Sequence, residues 1–215
     1  VRLVFFDLDG TITRHDTLFP YVLGFIRRRP RRLLGLLRVL PWVVAFAFGR
    51  ADHGALKSAL IKATLGGCTR EEIDTWTAEF VPALLKNGVL RAALERIEAH
   101  RREGDRLILM SASPDLYVPA IADALGFAET ICTGVRWVNG RLEGSLTTEN
   151  RRGAEKALCF EDTRQRHPGL PTVAYANGPS DFDHLVLADE AVLVNAQRSM
   201  RLKAQAAGIR CVDWH

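Results

Sequence analysis

Cysteine is scarce and badly spaced for chemistry: Cys68, Cys132, Cys159 and Cys211 contain no C-x-x-C pair. That excludes a zinc ribbon, a thioredoxin-type redox motif and a small secreted disulfide scaffold, and a reducing cytoplasm is the expected setting. No internal repeat or low-complexity linker is present, so solenoids and arrays are excluded. The opening VRLVFFDLDGT has no basic leader followed by a long apolar stretch, and no export is predicted. Acidic residues are missing altogether from positions 17–51, which hold Arg27, Arg28, Arg29, Arg31, Arg32, Arg38 and Arg50, whereas 22 basic residues face 25 acidic ones elsewhere. Long apolar runs are also lacking. Residues 33–48 come nearest, but Arg38 and Pro41 interrupt them, and a spanning helix needs roughly 20 apolar residues.

What is present is an ordinary soluble composition, 47% hydrophobic and 25% charged over 215 residues, enough for one domain and a modest second unit. Residues 1–6 form an apolar run, broken only by Arg2, suited to a buried strand ending at Asp7. Residues 17–85 carry helical signals throughout, including a stop at Gly66-Gly67 and a capping box from Thr69 to Glu72. Leu90, Leu94 and Ile97 continue the helical spacing to Gly104. Beyond it, strand signals at 106–110, 171–176, 191–194 and 209–212 alternate with helical ones. Ser113-Pro114 is expected to open a helix that Gly126 ends. Residues 130–138 and 141–146 flank Asn139-Gly140, a type I′ hairpin signal. This alternation predicts an α/β fold, a mostly parallel sheet with helices on both faces, interrupted after its first strand by an all-helical insertion. Trp42, Phe46 and Phe48 are expected in the packed interior of that insertion. The alternative for its arginine-flanked apolar run is peripheral contact with an anionic membrane surface, and no nucleic-acid partner is expected.

The chemistry is concentrated at a few points. Asp7-Leu8-Asp9-Gly10-Thr11 places two carboxylates at i and i+2, which an extended backbone would point to one side. At the carboxyl end of a buried strand they occupy the place where open α/β sheets bind ligands. Their mutual repulsion implies a divalent cation, and hard oxygen donors suggest Mg2+. Ser111 follows the second core strand, while Ser113 reads as a helix cap. Lys156 lies near a helix start, where the dipole does not favour a cation. Asn177-Gly178-Pro179-Ser180-Asp181 is a turn with oxygen-bearing side chains at i and i+4. Asp16, beside His15 at the entry to the insertion, and Arg28 within it are candidate substrate contacts. His184 is expected on a helix face rather than as a ligand.

Taken in order, the Asp7 motif, Ser111, Lys156 and the Asn177–Asp181 turn resemble the four motifs of the haloacid dehalogenase superfamily over nearly the whole chain. The helical insertion and the Ser111-Ala112-Ser113-Pro114 run resemble its phosphoserine-phosphatase-like branch. The string from Val4 to Thr11 and the arginine-rich insertion are similar to phosphatidylglycerophosphatase C-like proteins. The resemblance implies a Rossmann-like core domain, residues 1–15 and 86–215, and a helical cap, residues 16–85. It implies a cytoplasmic, Mg2+-dependent phosphatase acting through an aspartyl-phosphate on a phosphomonoester, either a lipid phosphate or a small metabolite phosphate. Asp7 would be the nucleophile and Asp9 the general acid and base. Thr11, Ser111 and Lys156 would bind phosphate. Asp7, Asp9 through its backbone carbonyl, and Asn177 would hold the metal, with Asp181 supporting the metal loop. An acid two residues after the nucleophile sets phosphatases apart from dehalogenases and ion-pumping ATPases in this superfamily. Ala176-Asn177-Gly178 departs from the usual Gly-Asp or Gly-Asn head of the fourth motif, and a neutral Asn177 is expected to weaken Mg2+ binding. The alternative function is a catalytically weakened phosphate-binding or sensing module.

Overall fold

Four consecutive large apolar residues can be buried together only in a strand covered on both faces, and β1 (Leu3–Phe6) is such a strand, with no residue more than 1% exposed. The computed structural model describes residues 1–214. β1 starts two residues later than the apolar pattern suggests, because the Arg2 backbone N–H donates to Asp105 Oδ1 at 2.8 Å and leaves Val1 exposed. β2 (Arg106–Pro114), β3 (Glu129–Thr133), β6 (Thr172–Ala176), β7 (Glu190–Val194) and β8 (Arg210–Val212) complete a sheet of order β3-β2-β1-β6-β7-β8. All its pairings are parallel. Parallel neighbours need crossovers. Helices α6 (Val118–Leu125), α7 (Ala154–Arg166), α8 (Phe182–Leu185) and α9 (Arg198–Ala206) supply them.

The period-two alternation of β1 divides the core. Leu3 and Phe5 pack with Phe160, Leu185 and Met200 on one face, whereas Val4 and Phe6 join Ile97 and Ile121 on the other. That second cluster continues into Tyr21, Trp76 and Phe80 of the insertion. From β1 the sheet grows towards β2 and β3 on one side and β6, β7 and β8 on the other. The crevice at the carboxyl ends of β1 and β6 is therefore the topological switch point, where such sheets bind ligands.

Between β1 and β2 the chain forms α1 (Leu18–Arg28), a 3-10 segment (Pro30–Val39), α2 (Leu40–Ala47), α3 (His53–Leu65), α4 (Arg70–Asn87) and α5 (Arg91–Arg102). The capping box at α4 is present: Glu72 N–H donates to Thr69 Oγ1 at 3.3 Å, and Thr69 N–H donates to Glu72 Oε2 at 2.9 Å. Pro41 stands in the first turn of α2, where a missing N–H costs nothing, so a new helix begins there.

The fold corrects three expectations. Ser113 and Pro114 do not open a helix; β2 runs through them, bulging between Met110 and Pro114, and α6 takes Pro119 into its first turn instead. Residues 130–138 are not one strand. Gly134 divides β3 of the main sheet from β4 (Val135–Val138), which pairs with β5 (Arg141–Leu146) across Asn139 and Gly140, both at positive φ as a type I′ turn requires. This hairpin lies against α3, so closely that a Cβ on Gly144 would meet Lys62 Cα at 2.8 Å. Thirdly, Trp42 and Phe48 are not interior: they are 45% and 76% exposed, and only Phe46 is half-buried.

Candidate active site

The chain leaves β1 through a tight turn at Leu8–Ile12, with Gly10 at φ +82°. Only glycine fits there, because a Cβ would stand 2.0 Å from Asn177 Nδ2. This close approach brings the loop after β6 onto the loop after β1, and a cavity of about 540 Å³ opens above them. Asp7, Asp9, Lys156, Asn177 and Asp181 line its floor, while His53 and Lys57 of α3 face them from the insertion.

Asp7 is buried, and two hydrogen bonds hold its carboxylate. Lys156 Nζ donates to its Oδ1 at 2.6 Å, and Thr11 Oγ1 to its Oδ2 at 3.0 Å. The same Nζ donates to Asp181 Oδ1 at 2.6 Å, and Asp181 accepts from the Gly178 N–H at 3.3 Å. Burial pushes the Asp7 carboxyl up to about 7; Lys156 opposes this, and the Asp181 and Asp9 charges add to it. Burial also acts against the Lys156 charge, but Asp7 and Asp181 outweigh it and hold the ammonium protonated. These contacts explain a lysine in the first turn of α7, where the dipole alone disfavours it.

Asp9 turns towards the insertion. Its Oδ1 accepts from the Thr17 N–H and Thr17 Oγ1, both at 2.7 Å, and its Oδ2 accepts from Ser113 Oγ at 2.7 Å. Burial, followed by the neighbouring Asp16 charge, raises its pKa, while these three hydrogen bonds limit the rise. The backbone is extended at Asp7 (φ −73°, ψ 155°) and non-helical at Asp9 (φ −77°, ψ 110°), and both residues line the one cavity.

Asp7, Asp9, Thr11, Lys156, Asn177 and Asp181 come together. Ser111 stands behind them, fully buried, its Oγ accepting the Ser113 N–H at 3.0 Å. Asp16 and His15 are exposed at the cavity rim, and Asp16 Oδ1 also accepts the Phe19 N–H at 3.1 Å at the start of α1. Arg28 is not among the lining residues: it pairs with Glu79, and its guanidinium lies 4.6 Å from the Trp76 ring centroid. His184 is buried on α8 beside Phe160, away from the lining, with its pKa lowered to about 3 by burial and the Lys156 charge.

Sequence reading missed Ser113, Thr17 and Lys57. Ser113 was hidden by its resemblance to a helix cap, and Thr17 had only its nearness to the first motif as a signal. Lys57 had none, because it reaches the cavity only through the folding of α3, where Nζ donates to the Ala112 carbonyl and Asn150 Oδ1. Burial lowers its pKa to about 8.

Hard oxygen donors suit Mg2+, and the carboxylates of Asp7, Asp9 and Asp181 line the same cavity. Asn177 adds a neutral carbonyl. The donor set therefore fits the metal. A second group, His100, Glu103 and Asp105, also brings ligand-type atoms together. It lies at the opposite end of the sheet, and the Arg2 guanidinium already fills it, with Nη2 donating to Asp105 Oδ2 at 2.7 Å.

Comparison with known proteins agrees with this arrangement. Residues 4–185 match the model of the haloacid dehalogenase-like hydrolase family. Protein CicA of Caulobacter vibrioides is 32% identical over 189 residues, covering 87% of this chain and 83% of CicA. A Bordetella pertussis protein of unknown function shares the fold with a TM-score of 0.84 at 21% identity, over 99% of this chain and 98% of its own. A phospho-aspartyl intermediate analogue of phosphoserine phosphatase superposes with a TM-score of 0.67 at 17% identity, over 98% and 92% of the two chains. With the family's model spanning both the Asp7 loop and the Asn177 loop, and CicA alike over most of its length, the chain belongs to the haloacid dehalogenase-like hydrolases.

Proposed function

We propose that the protein is a Mg2+-dependent phosphatase that hydrolyses a phosphomonoester through an aspartyl-phosphate on Asp7. The observation that carries this reading is Asp9. It stands two residues from a buried carboxylate, held by three hydrogen bonds, with a raised pKa that suits it to give and take a proton. Asp7 attacks phosphorus while Asp9 protonates the leaving oxygen. Asp9 then takes a proton from the water that attacks the acyl-phosphate, and phosphate leaves with Asp7 restored. Thr11 and Lys156 orient the Asp7 carboxylate, and Lys156 meets the charge of the phosphoryl oxygens. Ser111 supports this wall through Ser113. Asp7, the Asp9 carbonyl and Asn177 would hold Mg2+, with Asp181 bracing the loop; the ion, when bound, would polarise the phosphoryl group and offset the clustered carboxylates.

In this reading residues 16–85 form the cap over a core of residues 1–15 and 86–215, and cap residues set the substrate. The phosphoserine phosphatase that carries a phospho-aspartyl intermediate analogue supports the covalent route by shared fold. The narrower likeness to phosphatidylglycerophosphatase C-like proteins rests on the N-terminal string and the cap composition. The substrate is accordingly a lipid phosphate or a small metabolite phosphate.

The test is phosphate release from a soluble aryl phosphate with Mg2+ and with chelator. The parent should turn over only with the metal. Asp7→Asn should abolish turnover while keeping the fold, since the change is nearly isosteric. Full activity in Asp7→Asn would end the covalent mechanism, and an inert parent that still binds phosphate would favour the sensing module.

A further inference from the structure

The segment from Pro30 to Phe48 turns much of its apolar surface outward. Leu34, Leu37 and Phe48 are 72%, 62% and 76% exposed, Leu40, Trp42 and Val44 are each about half exposed, and α2 buries none of its residues. The base beneath them is firmly packed. Val39 is buried and Leu36 packs against the main core. Gly35 lies so close to α3 that a Cβ would meet the Ala63 carbonyl at 2.1 Å, and Arg32 donates to the Thr64 and Gly66 carbonyls at 3.0 and 2.9 Å. Contiguous exposed apolar surface of this kind marks an interaction site.

Charge decides what it meets. Arg28 and Arg29 are paired with Glu79 and Glu72. Arg27, Arg31, Arg38 and Arg50 are exposed and have no ion-pair or hydrogen-bond partner among the described residues, and no acid lies between positions 17 and 51. A second copy docked face to face would set these arginines against one another. Among the described residues no helix is long and apolar enough to cross a membrane. An exposed apolar segment flanked in sequence by unpaired arginines fits the headgroup region of an anionic bilayer, which moulds itself to exposed side chains. The face also adjoins the cavity: the Phe46 and His53 rings are 4.7 Å apart, and His53 lines the cavity wall.

We propose that this face docks the protein on an anionic lipid bilayer, with its apolar side chains in the headgroup layer and Arg27, Arg31, Arg38 and Arg50 against lipid phosphates, so that the phosphomonoester reaching the cavity is carried by a lipid. The substrate clause rests on the phosphatase reading; the docking does not.

Cosedimentation with phosphatidylglycerol-containing vesicles, and with phosphatidylcholine vesicles as control, tests the docking directly. The parent should bind the anionic vesicles at low salt and release at high salt. Each arginine lost should lower partitioning about fivefold, equivalent to about 1 kcal/mol. Arg27→Ser/Arg31→Ser/Arg38→Ser/Arg50→Ser should thus lose vesicle binding, as should Leu37→Ser/Phe48→Ser. Both should keep the parent's melting temperature and its turnover of a soluble aryl phosphate, while hydrolysis of phosphatidic acid in vesicles falls. Absence of parental binding at low salt, or equal binding by both variants, overturns the docking. So does a dimer that Leu37→Ser/Phe48→Ser dissolves, or capture by an acidic protein with no vesicle binding. Vesicle binding without turnover of any phosphomonoester upholds the docking and removes the phosphatase reading instead.

Discussion

Replacing Lys156 with glutamine should leave two buried carboxylates without their shared cation. In the parent, Nζ lies 2.6 Å from both Asp7 Oδ1 and Asp181 Oδ1, and the three side chains are 3%, 7% and 5% exposed. Breaking a buried ion pair by removing one partner costs about 3–5 kcal/mol, because the other charge remains desolvated. With two partners stranded, the upper end is expected. At about 2–4 °C per kcal/mol for a chain of this size, Tm should fall by about 10–20 °C. The pH dependence has a definite sign. Burial pushes the Asp181 carboxyl up, but Lys156 and then His184 outweigh it and hold its pKa below the ordinary value. Without Lys156 both carboxyls keep their burial and lose their main counter-charge, so their folded-state pKa values rise above the unfolded ones. Groups raised in this way favour the folded state at low pH, so the deficit should shrink as pH falls from about 8 to about 5. Calorimetric melting in chelator, across that range, measures both effects. Adding Asp181→Asn to Lys156→Gln should recover part of the loss, and Mg2+ should recover part of it in the single variant. A Tm within about 2 °C of the parent at high pH, or a deficit that grows on acidification, would refute the reasoning.

Ser113→Ala removes a 2.7 Å hydrogen bond to Asp9 Oδ2 and should lower kcat for an aryl phosphate roughly tenfold, with Ser113→Thr restoring much of it. An unchanged kcat would mean that Thr17 alone positions Asp9. Lys57 has a pKa lowered to about 8 by burial, so it is charged below that pH and neutral above it. KM for an anionic substrate should therefore rise as pH passes through about 8, and steady-state profiles of Lys57→Met should lose that limb.

Much of the core was legible because its signals are local. The unbroken apolar run before Asp7 identifies a doubly covered strand, Thr69 and Glu72 identify a helix start, and Asn139-Gly140 identifies a hairpin, each from chemistry within a few residues. The Asp7 and Asp9 pair was legible for the same reason. Ser113 was misread because a serine before a proline carries the same local signal whether a helix follows or the strand continues. Pairing of Pro114 with Thr133, a contact across 19 positions, decided between them.

The amino-acid order by itself determined the α/β alternation, the helical insertion after the first strand and the residue types able to carry phosphoryl chemistry, because period, capping and charge are properties of short segments. Only the tertiary structure decided that Lys156 bridges Asp7 and Asp181, that Lys57 reaches the same cavity from α3, and that Trp42 and Phe48 face outward. Those outcomes depend on which elements pack against which, and burial, with the pKa shifts it brings, is a property of that packing rather than of any stretch of chain.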